Sequence, residues 1–207
     1  GHPDYICDAI MEQISIALSK EYVERFGKIF HHNVDKGLLV AGQVEQKLGG
    51  GTVKEPMQII IGDRATIEVD GESIPVEQTA LNTAKEWIKK NLRFVDPENH
   101  VKYNVILKPG SKELVDIFRR TTGLLPANDT SAAVGYAPLT ETEITVLETE
   151  KFLNSLTFKN EFPESGEDVK IMAFREKREL HLTIAMPLVD KFIDSESKYF
   201  KRKKEIF

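Results

Sequence analysis

Apolar side chains at Ile6, Ile10, Ile14, Ala17 and Leu18 recur every three to four residues, the repeat of one helix face. The pattern predicts a helix over residues 4–26, entered at Pro3 and stopped by Gly27. Runs at 38–44, 57–61 and 65–69 read as strands, and Asp70-Gly71 marks a tight turn. A second helix is expected over 76–92, with Ala80, Ala84, Trp87 and Ile88 on one side, then an alternating strand over 101–107. Residues 111–119 predict a short helix capped by Ser111, and 132–137 a short strand. Thr140 and Glu143 form the signature of a capping box, opening a helix that runs to about Leu153. A polar loop over 154–166 follows, then a hairpin over 169–175 and 179–186 and a last helix from near Ser195.

Helices that interleave with strand pairs predict an α+β fold of mixed or antiparallel sheets, with helices packed on one face, not a doubly wound parallel sheet. The expected division is a first region over 1–153 and part of a second domain over 154–207, cut short at its C-terminal end. A start at Gly1 without Met, and the uncapped basic run at 198–204, predict a piece of a longer chain.

Composition narrows the function classes. No apolar run approaches the roughly 20 residues of a membrane span. The 28 basic and 33 acidic residues leave a net charge of −5, which argues against nucleic acid as a partner. The single Cys7 excludes an internal disulfide and fits a reducing, cytoplasmic setting. There is no Walker loop and no dinucleotide fingerprint, so a kinase-like phosphate loop is not expected. Gly49-Gly50-Gly51-Thr52 lacks the lysine a phosphate loop needs and reads as a flexible turn. His31 and His32 are adjacent, so an extended chain points them to opposite faces, and no zinc spacing exists.

Three polar clusters carry candidate chemistry. Gly1-His2-Pro3-Asp4 sits at a helix start, where free N–H groups favour an anion. There His2 could donate to an oxygen that gains charge, and Asp4, with Asp8 one turn on, could hold a hard cation or simply complement the helix dipole. Asn128-Asp129-Thr130-Ser131 could bind a polar ligand or close an Asx turn. Gly166-Glu167-Asp168-Val169-Lys170 puts a lysine at a strand start, for phosphate or for solvent. The segment from Arg119 to Asn128, with Gly123 and Pro126, is expected to act as a lid over the aspartate that follows it.

Taken together and in this order, the clusters resemble the signatures of S-adenosylmethionine synthetases of the archaeal type. So do His31-His32-Asn33, Leu39-Val40-Ala41-Gly42, Gly62 with Arg64-Ala65-Thr66, and Val134-Gly135-Tyr136-Ala137-Pro138-Leu139. Ala132-Ala133 depart from the family pattern, where phenylalanine and glycine are expected. The resemblance covers the whole chain and implies the N-terminal half of such an enzyme, with the family's fold. It implies transfer of the adenosyl group of ATP to L-methionine, with release of phosphate and pyrophosphate. It implies His2 and Lys170 as catalytic residues, Asn128, Asp129 and Thr130 as substrate-binding residues, and Asp4 as a metal ligand. Mg²⁺ and K⁺ are the implied cofactors, and a homodimer with active sites at its interface the implied assembly. The other reading is a non-catalytic dimerisation half, since the family's later glycine-rich and lysine-containing motifs do not occur in these 207 residues.

Overall fold

The computed structural model describes residues 1–119 and 134–207. The chain runs α1 (Pro3–Phe26), β1 (His32–Val40), β2 (Gln43–Glu45), β3 (Thr52–Glu55), β4 (Met57–Ala65), β5 (Glu68–Val69), β6 (Glu72–Ser73), α2 (Val76–Asn91), β7 (Val101–Lys108) and α3 (Lys112–Arg119). Past residue 133 come α4 (Glu141–Leu153), α5 (Leu156–Glu161), β8 (Lys170–Glu176), β9 (Glu179–Ala185), a 3-10 turn (Asp190–Phe192) and α6 (Glu196–Ile206). Two compact units share these elements. A helix–sheet unit takes Pro3–Gln43 and residues 55–119; a hairpin unit takes Gly1–His2, Val44–Lys54 and residues 134–207.

The helix–sheet unit is a three-stranded sheet in the order β1-β4-β7, with β1 antiparallel and β7 parallel to the central β4. The mixed sheet expected from the strand pairs is present. Its period-two alternation sends Ile59, Ile61, Val101 and Leu107 to one face, and the register shift in β1 brings Val34 to the same core; all are buried. Helix α1 lays Ile6, Ile10, Met11, Ile14, Leu18 and Tyr22 on that face, and α2 adds Val76, Ala80, Ala84 and Ile88. Ile10, Ile14 and Leu18 are fully buried. Each contributes about 1.5–3 kcal/mol of transfer free energy. Gly37 explains how close α1 lies to β1: a Cβ there would stand 3.2 Å from Met11 Cγ and 3.3 Å from Cys7 Cβ. The helix stops where predicted, since Gly27 takes φ +72° and donates its N–H to Val23 O at 2.8 Å. Tyr22 carries its one polar group through the core by donating to Thr66 O at 2.8 Å. On the other sheet face Leu38, Val40 and Ile106 are exposed among the described residues.

Three expectations need correction. The strand predicted at 57–61 runs on to Ala65 as β4, in register with β7 from Met57↔Val101 to Arg64↔Lys108, and of the strand predicted at 65–69 only Ala65, which ends β4, and Glu68–Val69, the short β5, are strand. The strand is irregular at this point: Asp63 takes φ +110° and the β1 pairing shifts between Asn33 and Lys36. No strand forms over 134–137, the described part of the stretch predicted at 132–137. The loop predicted over 154–166 holds α5, whose Phe158 is buried against the rings of Phe152 and Phe162.

In the hairpin unit, β8 and β9 pair antiparallel from Lys170↔Ala185 to Glu176↔Glu179. They pack on α4, and Arg175 Nε donates to Thr142 Oγ1 at 2.6 Å. The capping box at α4 is present with both bonds, Glu143 N–H to Thr140 Oγ1 at 3.2 Å and Thr140 N–H to Glu143 Oε2 at 2.7 Å. Tyr136 adds its hydroxyl to Glu143 Oε1, and these contacts hold the Glu143 carboxyl below its ordinary range. Ser155 and Ser195 cap α5 and α6.

Candidate functional site

Of the site residues read from sequence, His2 immediately precedes α1 and is exposed. Asp4 lies in the first turn of α1 and Asp8 one turn further, both exposed. Pro3 at the helix start has no N–H to leave unsatisfied, so the terminus forms without a side-chain cap on that position. Lys170 is the first residue of β8 and its ammonium pairs with Asp168 Oδ2 at 2.6 Å. The other oxygen, Asp168 Oδ1, is buried and has no hydrogen-bond partner among the described residues. Asn128, Asp129, Thr130 and the expected lid from residue 120 onward lie outside the described residues.

The first and third clusters meet within the hairpin unit. Gly1 packs directly on the backbone of the turn that precedes Lys170. A Cβ added at Gly1 would fall 2.6 Å from Glu167 C, 2.7 Å from Asp168 N and 2.8 Å from Glu167 O, distances no side chain accommodates. Only glycine allows the chain that carries His2 to approach the chain that carries Lys170 this closely. That turn is itself tightly held. Gly166 N–H donates to Pro187 O at 2.8 Å, Val189 N–H to Glu164 O at 2.7 Å, and Ser165 bridges Leu188. Glu164, buried, accepts from Arg202 Nε, and Arg202 also lies over the Phe162 ring at 5.0 Å. The bond to Glu164 raises the Arg202 guanidinium above its ordinary range.

The adjacent histidines separate as expected. His31 is buried, and burial, with His32 beside it, pulls its imidazole below the ordinary histidine value. His32 instead faces Ser15 Oγ at 3.0 Å and Phe30 O at 2.9 Å. Near them, burial and the neighbouring Asp35 push the Asp63 carboxyl up, while a hydrogen bond from Lys36 holds Asp35 down. Among the described residues no group of three or more His, Cys, Asp or Glu side chains could hold a metal ion. The glycine-rich stretch is a docked turn: Gly49 N–H donates to Asp190 O and Ile193 O, and a Cβ at Gly51 would stand 2.4 Å from Glu45 O. Among the described residues no helix is long and apolar enough to cross a membrane.

The sequence model of the family described as S-adenosylmethionine synthetase (AdoMet synthetase) matches residues 1–207. The chain belongs to the S-adenosylmethionine synthetase family. It is 48% identical over 209 residues to the probable S-adenosylmethionine synthase of Aquifex aeolicus, covering 100% of this chain and 52% of that protein. It is 48% identical over 206 residues to the S-adenosylmethionine synthase of Methanocaldococcus jannaschii, covering 96% of this chain and 51% of that one. The corresponding figures for Pyrococcus furiosus are 45% over 208 residues, 100% and 52%. The chain therefore spans about half the length of the curated relatives it matches. Within this synthetase fold, sequence reading passed over Gly1 as a seat against Glu167–Asp168 and Lys159 beneath the same turn. Neither carries a local signal, because each is defined by contacts across more than 100 residues or by a helix hidden in a polar stretch.

Proposed function

We propose that the protein from which this chain comes is an archaeal-type methionine adenosyltransferase, making S-adenosylmethionine from ATP and L-methionine. The observation that carries this reading is the convergence of Gly1-His2 with the Gly166–Lys170 turn, because the reaction needs both groups at one leaving group. Methionine sulfur donates its lone pair to the ribose C5′ of ATP as the bond from C5′ to the phosphate oxygen breaks. The electron pair leaves on tripolyphosphate, which is then hydrolysed to pyrophosphate and phosphate. His2 donates a hydrogen bond to the departing oxygen, and the Lys170 ammonium neutralises charge on the polyphosphate. Lys170 exchanges its bond to Asp168 for phosphate oxygens as the nucleotide arrives. Asp129 holds the methionine ammonium, with Asn128 and Thr130 beside it, which fixes the sulfur for in-line attack.

Mg²⁺ fits the donor set in one particular way. Asp4 and Asp8 offer hard carboxylate oxygens on one face of α1, with no third protein ligand beside them among the described residues. That suits an ion held by one or two carboxylates and by substrate phosphates. Bound there, it would neutralise phosphate charge. K⁺ enters on family grounds alone, and no residue here is given to it. The assembly in this reading is a homodimer, and the sheet face with exposed Leu38, Val40 and Ile106 supplies apolar surface for a second copy.

The test is product formation by the full-length protein from ATP, methionine, Mg²⁺ and K⁺. His2→Asn should lower synthesis by about 10²–10⁴ with ATP affinity little changed. Asp129→Asn should raise the methionine KM or lower kcat while added tripolyphosphate is still hydrolysed. Full turnover by His2→Asn, or no product from the native protein, refutes the reading.

A further inference from the structure

Lys159 is 5% exposed, a rare state for a lysine. It projects from α5, and its ammonium donates to Ser165 O at 3.3 Å, Ser165 Oγ at 3.2 Å and Gly166 O at 2.8 Å. All three acceptors are neutral oxygens of one two-residue turn. These hydrogen bonds tie the buried ammonium to the backbone of the turn, and they are lost if the turn moves. The turn has two outputs. Two residues on, the Glu167–Asp168 peptide is the surface on which Gly1 seats, next to His2; four residues on, Lys170 opens β8. Nothing in the reaction proposed above uses Lys159 directly, and it is buried away from solvent.

We infer that Lys159 is a positioning residue: its buried ammonium gathers the Ser165–Gly166 turn so that Lys170 and the Gly1-His2 segment are held together around the polyphosphate of the substrate. The inference rests on the role proposed for Lys170. The Glu164–Arg202 pair grips the same turn from the side of α6, so the fold survives loss of Lys159 better than the alignment of Lys170 does.

The experiment uses the full-length protein and reads KM and kcat for hydrolysis of added tripolyphosphate, with thermal unfolding alongside. Lys159→Ala should raise the tripolyphosphate KM by about tenfold to a hundredfold, the scale of a displacement of about 1 Å at a reacting centre. Propylammonium, which restores the deleted three-carbon stem and its charge, should recover most of the loss; 1-propanol, of similar size and neutral, should not. Ser165→Ala removes one acceptor and should raise the same KM several-fold, which keeps the inference testable if Lys159→Ala fails to fold. Lys170→Met is measured in parallel. A raised KM in Lys170→Met, with Ser165→Ala and Lys159→Ala within twofold of the native protein, overturns the inference and leaves the Lys170 reading intact. Equal rescue by 1-propanol also overturns it, since packing and not charge would then be what Lys159 supplies. An unchanged KM in Lys170→Met refutes the reading of Lys170, and with it the role given to Lys159.

Discussion

Replacing Gly1 by Ala adds a single methyl group at the point where the two candidate catalytic segments touch. The new Cβ would meet Glu167 C at 2.6 Å, whereas ordinary van der Waals contact begins near 3.4 Å, so the backbones must part by about 0.8 Å. All three clashing atoms are backbone, so no side-chain rotation relieves the contact. The Glu164–Ser165–Gly166 turn is pinned by Pro187, Leu188 and Lys159, which leaves the Gly1-His2 segment to give way. A shift approaching 1 Å in His2 relative to Lys170 should lower kcat by about tenfold to a hundredfold. Overpacking should also cost about 1–3 kcal/mol of stability. The assay is synthesis from ATP and methionine by the full-length variant, with Gly27→Ala as comparison. Gly27 has φ +72° and no atom within 4 Å of its would-be Cβ, so alanine there is strained but not crowded. It should lose about 1 kcal/mol with kcat unchanged. If Gly1→Ala retains kcat within twofold, the close approach is not what aligns the site and the central argument fails.

Three further outcomes are expected. Thr140→Ala should lose about 1 kcal/mol, lowering Tm by about 2–4 °C. The Tyr136 hydroxyl, with the Thr140 cap, holds the Glu143 carboxyl below its ordinary 4.5 in the folded state, so this contribution is present above pH 4.5 and is lost as pH falls below it; thermal unfolding of Tyr136→Phe should therefore depend less on pH there than that of the native protein, and parallel pH curves would contradict the assignment. Leu38→Asp with Ile106→Asp, both at exposed positions of the sheet, should leave the fold intact but convert a dimer to a monomer in sedimentation, and a persisting dimer would exclude this face as the interface.

The elements legible in sequence are those with local signals. Helix α1 announces itself by its four-residue apolar repeat and Gly27, the β5–β6 turn by Asp70-Gly71, and α4 by its capping box. Strand β4 runs past the apolar stretch that ends at Ile61 because it is paired on both sides, and that pairing carries Asp63 through an unfavourable φ. Helix α5 was hidden because its six residues are too few to show a period, although Ser155 as a cap and Phe152, Phe158 and Phe162 were visible clues. The candidate site divides the same way. Its motifs stand in the chain in plain order, but the seat of Gly1 on Glu167–Asp168 and the burial of Lys159 are tertiary facts, and a glycine or a lysine in isolation says nothing about either.

The interleaving of the two units has a consequence for biosynthesis. The hairpin unit is assembled from Gly1–His2, Val44–Lys54 and residues 134–207, so the chain leaves it at residues 2–3, re-enters at 43–44, leaves again at 54–55 and returns for the last piece. A ribosome delivers the sheet strands β1, β4 and β7 well before β8 and α6, so the helix–sheet core can condense first while the early pieces of the other unit wait. Neither unit can be excised by cutting one linker. Dissection of this protein into independently expressed domains must instead splice around Val44–Lys54.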